Sequence, residues 1–281
     1  NVVAITGIVA FGALFPEARS IGPEEWTTPM VVLLGATATL GVMVQAAVLL
    51  PPVLRSGFRW RPRWGFRGVG LGDASRMALW MLAVIGVSQG GMWLATNVLN
   101  RASELDPSAA GRIVYENAFL FFILPHSLIT ASLITAMFTQ MSRSAHAEDL
   151  AGLRDQFTHG LRLLLVAIVP VCLALFLLAP SVTAVLLFNN SLEETRATAY
   201  VTMGLLVGLV PYAAYILSAR VFHAFQDGRT PFRLQLVITG VSVVGLLVSA
   251  MLPPTYTAVG VGLSQALGQS AAAVFGVLWV R

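Results

Sequence analysis

Charge is scarce in this chain of 281 residues, and lysine is absent altogether. Only 11% of the residues are charged, whereas an ordinary soluble domain has about 25%. Without lysine there is no phosphate-binding loop of the Walker type, and neither a His/Glu zinc spacing nor a paired acidic magnesium motif occurs. The single cysteine, Cys172, excludes an internal disulfide and the Cys-rich zinc patterns. We therefore expect no enzyme, no catalytic residue, no metal site and no cofactor.

Long apolar runs take the place of charge, since 57% of the residues are apolar. A helix needs about 20 residues to cross the roughly 30 Å of hydrocarbon in a membrane. The runs are continuous rather than alternating, so helices rather than barrel strands must satisfy the backbone in lipid. This pattern predicts an all-α, polytopic membrane helical bundle with about eight transmembrane helices. The runs span residues 1–15, which is short, and 29–50, 74–98, 113–138, 160–187, 198–220, 232–252 and 256–280.

The distribution of arginine predicts the orientation of these helices. When the loops are assigned alternately to two sides, one side holds 13 of the 17 basic residues, and the other holds Arg19, Arg101, Arg112 and Arg196. Eight of the 13 acidic residues lie on the second side when Glu116, near the outer end of the fourth span, is included. Because cytoplasmic loops are enriched in basic residues, the first side is predicted to be cytoplasmic.

Two connections on the predicted cytoplasmic side are long. Residues 51–73 are rich in Arg, Trp and Gly, and we expect them to lie against anionic headgroups and to link two helical bundles. Residues 139–160 place apolar side chains at helical spacing among charged ones. The apolar residues are Leu150, Leu153 and Phe157. This second connection is predicted to form an amphipathic helix along the membrane surface.

Polar residues inside the apolar runs are the candidates for function, because each one is costly in hydrocarbon. They are concentrated in the third and fourth predicted spans and at the ends of those spans. The candidate residues for binding a substrate in a cavity are Gln89, Asn97, Asn100, Arg112, Glu116, Asn117, His126 and Ser127.

Pro125 interrupts the fourth span near mid-membrane. A proline removes one backbone hydrogen bond, which usually kinks a helix and here leaves a carbonyl free for a ligand or for Ser127. His126 is then the only titratable side chain near the membrane centre. It is either a proton or phosphate partner in a cavity or a neutral histidine bonded to a neighbouring helix. Glu116 is likewise either a cavity group or an interfacial charge.

Several motifs resemble those of the MurJ (MviN) family of lipid II flippases. The segment from Phe222 to Arg233, with Asp227 and Pro231 within it, resembles a cytoplasmic loop of that family. Three other segments match the family in the same order along the chain, and together the matches cover nearly the whole chain. In the segment that begins at residue 124, the "PHS" sequence resembles actinobacterial members. The three segments are "LPPVLRSG" at 50–57, "IGVS" at 85–88 and "LPHSLITASLITAMFTQMSR" at 124–143.

The resemblance implies the fold of the multidrug/oligosaccharidyl-lipid/polysaccharide (MOP) exporter superfamily, in which two six-helix lobes face each other across a central cavity. Residues 1–50 would be the last two helices of the N-terminal lobe, and 51–73 the basic linker between the lobes. Residues 74–281 would be the C-terminal lobe. Family members begin with four more helices and end with further ones, so the chain is expected to be an excerpt of a longer protein of the bacterial plasma membrane.

The implied function is to move lipid II from the inner to the outer leaflet by alternating access, driven by the membrane potential or an ion gradient. Lipid II, membrane lipids and cell-wall synthesis proteins are the implied partners, and no nucleic acid is expected. In the cytoplasmic loop, Pro231 would lie in the first turn of the next helix, with Asp227 or Thr230 as its cap. The residues with a structural or gating role would be Pro125, Asp227, Arg229, Thr230 and Pro231.

One departure from the family pattern concerns the cavity. Several members carry an Asp-Arg pair before the proline of the fourth span, where this chain has Phe119-Leu120. Arg112, Glu116, His126 or the absent first helices would then have to supply that contact.

Two alternatives stay open: an ion-coupled multidrug or polysaccharide-lipid exporter of the same superfamily, and a non-transporting membrane scaffold for cell-wall synthesis. Clustering of the central polar residues on one inward wall would favour transport, and scattering would favour the scaffold. Those residues are Ser88, Gln89, Asn97, Asn117 and His126.

Overall fold

The computed structural model describes residues 2–19, 21, 25–56, 71–106, 109–188 and 190–280, and every regular element within them is a helix. The all-α prediction is therefore confirmed. The chain divides into two compact units, Asn1–Phe66 and Arg67–Arg281. The assignment of 1–50 and 74–281 to two lobes stays a prediction. Most of the predicted basic linker, residues 57–70, lies outside the described residues.

Among its described residues, the first unit contains a short and a long α-helix with a connection between them. Helix α1 covers Val2–Leu14 and helix α2 covers Thr28–Arg55, with a 3-10 helix at Pro16–Arg19 between them. The rings of Phe11 and Trp26 lie 5.3 Å apart and fix the end of α1 against the connection. Helix α2 continues beyond the predicted end at residue 50 and includes Pro51 and Pro52 in its last turns, although each proline lacks the backbone donor and crowds the carbonyl four residues back.

The second unit contains eight α-helices and one π-turn among its described residues. Its elements in order are α3 (Leu71–Leu105), α4 (Arg112–Pro125), the π-turn (His126–Thr130), α5 (Ala131–His146), α6 (Leu150–Leu186), α7 (Leu192–Leu206), α8 (Leu209–Ala224), α9 (Arg229–Ser249) and α10 (Pro254–Val280).

The helices agree with the predicted membrane spans. Among the described residues, six helices are long and apolar enough to cross a membrane, with α4, the π-turn and α5 counted as one. Helices α7 and α8, which meet at an angle of 44°, together make a seventh. Helix α1 has 13 residues and corresponds to the short first run. The prediction of a polytopic membrane helical bundle is confirmed, and the described residues show six or seven spans where about eight were predicted.

Helix α10 lies at the centre of the second unit and packs closely on α9. Its small residues form a ridge that lets the two backbones approach, as in other membrane helix pairs. At Gly268, an added Cβ would lie 2.5 Å from the carbonyl oxygen of Ile238 on α9. Further along, the hydroxyls of Ser249 and Ser264 lie 3.2 Å apart and join the helices by a hydrogen bond.

Helix α6 corrects the prediction for residues 139–160. Instead of a separate helix along the membrane surface, α5 extends to His146 and α6 begins at Leu150 and runs unbroken for 37 residues. Leu153 and Phe157, expected to face lipid headgroups, are 3% and 1% exposed and belong to the protein core. Apolar residues at helical spacing fit either environment, and here neighbouring helices rather than lipid cover them.

Candidate functional site

A pocket of about 250 Å³ lies between the middle portions of α3, α9 and α10, and we call it the mid-span pocket. Two candidates from the sequence, Ser88 and Gln89, line it on α3. Two side chains of α9 are joined there, because the amide of Gln235 donates to the hydroxyl of Thr239 over 3.2 Å. The other polar lining residues are Ser242, Ser264 and Gln265, together with Tyr115 of α4.

The mid-span pocket offers hydrogen bonds rather than charge. None of its described lining residues is Asp, Glu, Arg, Lys or His. The hydroxyl oxygen of Ser242 is buried without a hydrogen-bond partner among the described residues, a state that usually costs about 1–3 kcal/mol. The pocket can therefore hold neutral polar groups, but it cannot neutralise a phosphate.

A second pocket of about 1270 Å³, which we call the large pocket, lies at the predicted outer end of the second unit. Helices α4, α7 and α10 begin there. Two predicted residues, Asn100 and Arg112, line it together with Arg196, Glu193 and Tyr200. With both signs of charge beside apolar walls, this pocket can accommodate a large polar group.

Arg112 is paired with another predicted residue. Its Nε donates to Oε1 of Glu116 over 2.6 Å, one turn along α4. The two side chains are 54% and 47% exposed, so water screens the pair and its contribution to stability is small. Arg112 nevertheless lines the large pocket, whereas Glu116 is not among its described lining residues.

His126 lies apart from both pockets, at the start of the π-turn. Its ring is 4.7 Å from the ring of Tyr212 on α8, and its Nδ1 is buried without a partner among the described residues. The peptide nitrogen of Ala131 donates to the carbonyl of His126, five residues back, which is the wider spacing of a π-turn. The turn follows directly after Pro125, which cannot donate to Phe121.

Ser127 does not fill the carbonyl that Pro125 leaves free. Its hydroxyl donates to the carbonyl of Leu124 over 2.9 Å, and the side chain is otherwise exposed. The hydroxyl reaches the carbonyl three residues back because that oxygen lies nearest to it on the helix surface.

The two remaining candidate residues, Asn97 and Asn117, line neither the mid-span pocket nor the large pocket. Asn97 is exposed, and its amide donates to the carbonyl of Trp93 over 2.7 Å. Asn117 is half-buried on α4. Within the described residues, the five central polar residues are thus not gathered on one wall: Ser88 and Gln89 share the mid-span pocket, while Asn97, Asn117 and His126 lie outside both pockets.

The loop between α8 and α9 has a well-defined structure. Of the two predicted caps, Asp227 is the one used, because its carboxylate accepts from the peptide nitrogens of Arg229 and Thr230 over 2.8 and 3.3 Å. The hydroxyl of Thr230 donates to the same carboxylate over 2.5 Å. Pro231 is buried in the first turn of α9, where its missing donor costs nothing.

These contacts hold the Asp227 carboxylate ionised. Burial by itself would raise its pKa from the ordinary 3.8, but hydrogen bonds from Thr230 and from the peptide nitrogens of Arg229 and Thr230, with the nearby charge of Arg233, lower the pKa below that value.

The polar residues of α9 were missed in the sequence, although a signal for them was present. Gln235, Thr239 and Ser242 are four and then three positions apart, which places them on one face of an apolar helix. Tyr212 had no such signal, because its meeting with His126 depends on how α8 packs against the π-turn.

Similarity to known proteins extends over the whole chain. The chain matches the family model described as "Lipid II flippase MurJ" over residues 1–281. A probable lipid II flippase MurJ of Borreliella burgdorferi is 24% identical over 210 residues, which are 72% of this chain and 40% of the relative. The one of Thermotoga maritima is 26% identical over 269 residues, 95% of this chain and 50% of the relative. The chain thus spans about half the length of the curated relatives it matches, or less.

Solved structures show the same fold. A lipid II flippase MurJ in an inward closed conformation matches with a TM-score of 0.68 at 16% identity, over 98% of this chain and 54% of that chain. An outward-facing multidrug resistance MATE family transporter of the MOP superfamily matches with a TM-score of 0.68 at 18% identity, over 89% of this chain and 55% of that chain. The predicted MOP exporter fold is confirmed.

Proposed function

The chain belongs to the MurJ family of lipid II flippases, and on that basis we propose that it works in moving lipid II from the inner to the outer leaflet by alternating access. The match to the family model over residues 1–281 carries this proposal. Family membership and the long apolar helices also make it a multi-pass protein of the bacterial inner membrane.

The physical task is to carry a large anionic head through a layer that excludes charge. Lipid II joins a prenyl tail to a pyrophosphate and a disaccharide-pentapeptide, so the head needs a polar path while the tail stays in lipid. The large pocket supports this proposal, because Arg112 and Arg196 line it and a guanidinium can offer two parallel donors to a phosphate. The mid-span pocket would supply neutral hydrogen bonds for the sugar or peptide part.

The proposed transport needs no cofactor and no bond-making step. Two conformations with opposite openings would exchange, and the membrane potential or an ion gradient would bias them. Membrane lipids surround the protein, and cell-wall synthesis proteins are its proposed partners because they consume lipid II at the outer leaflet.

Depletion of the full-length protein in its own cells tests the function directly. Lipid II accessible from outside would be measured with an impermeant reagent, alongside total lipid II. We expect the accessible fraction to fall while the total rises, and a restored copy of the gene to reverse both changes. An unchanged accessible fraction would reject the flippase function.

Arg112→Gln should weaken rescue in the same cells. Loss of a charge-assisted hydrogen bond to a phosphate costs about 1.5–3 kcal/mol, so we expect at least a tenfold lower flipping rate at limiting lipid II. The matched control is Arg101→Gln, since Arg101 is an exposed arginine on the same side of the second unit but does not line the large pocket. Equal losses in the two variants would remove the large pocket from the proposed path.

The scattering of the central polar residues is the observation that favours the scaffold. Only Ser88 and Gln89 of the five line a described pocket together. A scaffold predicts that cell-wall synthesis enzymes lose their membrane position on depletion while externally accessible lipid II is unchanged. The depletion experiment therefore separates the two functions.

A further inference from the structure

A third cavity of about 460 Å³ lies where the first turns of α3 meet the loop between α8 and α9, and we call it the turn cleft. It lies at the predicted cytoplasmic end of the second unit and has no part in the proposed transport path. The lining residues that matter are Arg76, Trp80, Phe225, Asp227, Gly228 and Arg229.

Trp80 gives the turn cleft a rigid wall. Its ring lies 5.2 Å from the ring of Phe232 on α9. Gly228 is pressed against it, since an added Cβ there would lie 2.8 Å from the Cβ of Trp80. The guanidinium of Arg229 stands over the same ring, 5.7 Å from its centroid, where a cation–π attraction holds it.

Positive charge predominates among the described residues that line the turn cleft. Arg76 and Arg229 line it from two different elements, and Arg233 lies close enough to lower the pKa of Asp227. The only carboxylate among its described lining residues is that of Asp227, which accepts three hydrogen bonds from its own loop. Among the described lining residues, two guanidinium groups thus stand against one carboxylate, whose oxygens already accept hydrogen bonds from its own loop.

Apolar surface beside these charges points to a lipid. Phe225 lines the turn cleft and is 43% exposed, and Leu79, next to Trp80 on α3, is 67% exposed. Tryptophan is enriched where hydrocarbon meets headgroups, and arginine binds phosphate in two-donor geometry. A ligand with a phosphate beside acyl chains satisfies both halves of this surface.

We propose that the turn cleft binds the headgroup phosphate of an anionic glycerophospholipid from the cytoplasmic leaflet, held between Arg76 of α3 and Arg229 of α9. The bound lipid joins α3 to α9 at that end. Such a link would add to the direct packing of Trp80 on Phe232, since Leu99 and Ala102 are the only buried side chains among those described on α3. The proposal does not depend on lipid II transport.

Titration of the full-length, delipidated protein in detergent tests this site. Phosphatidylglycerol, phosphatidylcholine and inorganic phosphate would be added separately, with lipid binding followed by native mass spectrometry and stability by thermal unfolding. The variants are Arg76→Gln and Arg229→Gln. The control is Arg154→Gln, an exposed arginine of α6 on the same predicted side that does not line the turn cleft.

We expect phosphatidylglycerol to bind and to raise the unfolding temperature, with phosphatidylcholine and inorganic phosphate much weaker. Each cleft variant should bind about fivefold more weakly, and the control should match the parent. If Arg229→Gln does not fold, Arg229→Lys keeps the charge and should lose part of the affinity. Equal affinities in the parent and both cleft variants, or an equal stabilisation by inorganic phosphate alone, would overturn the proposal.

Discussion

At the scale of single residues, the structure shows what surrounds each polar group that the sequence places in the membrane. His126 is the clearest case. Its position after Pro125 identified it in the sequence, but only the packing of the helices shows that its ring lies against Tyr212 and that its Nδ1 has no partner among the described residues. A buried nitrogen without a partner lowers stability, so its retention needs another reason. The sequence hypothesis of a cavity group would be such a reason, although His126 lies outside both pockets that the proposed function uses.

His126→Phe separates stability from transport. The substitution keeps a ring against Tyr212 and removes the unpartnered nitrogen, so we expect the free energy of unfolding to rise by about 1 kcal/mol. If His126 contacts lipid II, externally accessible lipid II should nevertheless fall in cells that carry this variant. His159→Phe, at an exposed position of α6, should change neither quantity. A variant that is both less stable and fully active would contradict this role.

Asp227→Ala should destabilise the loop before α9 by about 1 kcal/mol at pH 7, because the helix loses its cap. Since the folded pKa is lowered, this contribution is complete above the ordinary value of 3.8 and is lost as the pH falls through the folded pKa. The difference in unfolding temperature between parent and variant should therefore shrink from pH 7 to pH 3. Asp155→Ala, on the exposed side of α6, is the control, and a difference that does not change with pH would contradict the assignment.

The candidate site was predictable only in part. The costs of polar groups in hydrocarbon identify which residues to examine, and that argument found Gln89, Asn100 and Arg112, which line pockets. It also selected Asn97, whose amide merely bonds to its own helix. Sequence cannot separate these cases, because the direction of a side chain around a helix is fixed by the neighbouring helices.

At the scale of elements, glycine and serine determine how closely α9 and α10 pack. Small residues recur at every fourth position of α10, and the structure identifies α9 as the helix that meets Gly260, Ser264 and Gly268. Helix ends were less predictable. Helix α6 begins well before its apolar run, because its first turns are covered by protein rather than by lipid.

Gly268→Ala should lower the stability of the second unit by about 1–3 kcal/mol, because a methyl group there overlaps the backbone of α9 at Ile238. Gly240→Ala is the matched control, since an added Cβ at that position on α9 meets no atom within 4 Å. The unfolding temperature of the control should be unchanged or slightly higher. Equal behaviour of the two variants would show that α9 and α10 do not approach so closely.

At the scale of the whole molecule, the fold class was predictable from composition and from the long apolar runs. A chain with so little charge is typical of a membrane protein, and continuous apolar runs satisfy their backbone hydrogen bonds in lipid as helices. The family could also be recognised from short motifs. What composition could not give is the path of a substrate, because pockets depend on the packing of helices far apart in the sequence.

The predicted orientation can be tested by chemical labelling. With native Cys172 replaced by serine, single cysteines would be placed at Glu193, on the predicted outer side, and at Glu148, on the predicted cytoplasmic side. An impermeant maleimide should label Glu193→Cys in intact cells and Glu148→Cys only after the cells are opened. Both positions are exposed, so burial does not limit either reaction. The reverse pattern would invert the arginine-based assignment.

The unbroken length of α6 has a mechanical consequence. At 1.5 Å per residue its 37 residues follow a path of about 55 Å, with Pro170 and Pro180 within it, whereas hydrocarbon occupies about 30 Å. If its outer end lies at the membrane boundary, the excess of about 25 Å projects into the cytosol as a lever, and a swing of about 10° about that boundary would displace its tip by about 4 Å. A conformational change of α6 inside the bilayer would thus move its cytosolic tip, and a soluble protein bound to that tip would respond to the change without contacting lipid.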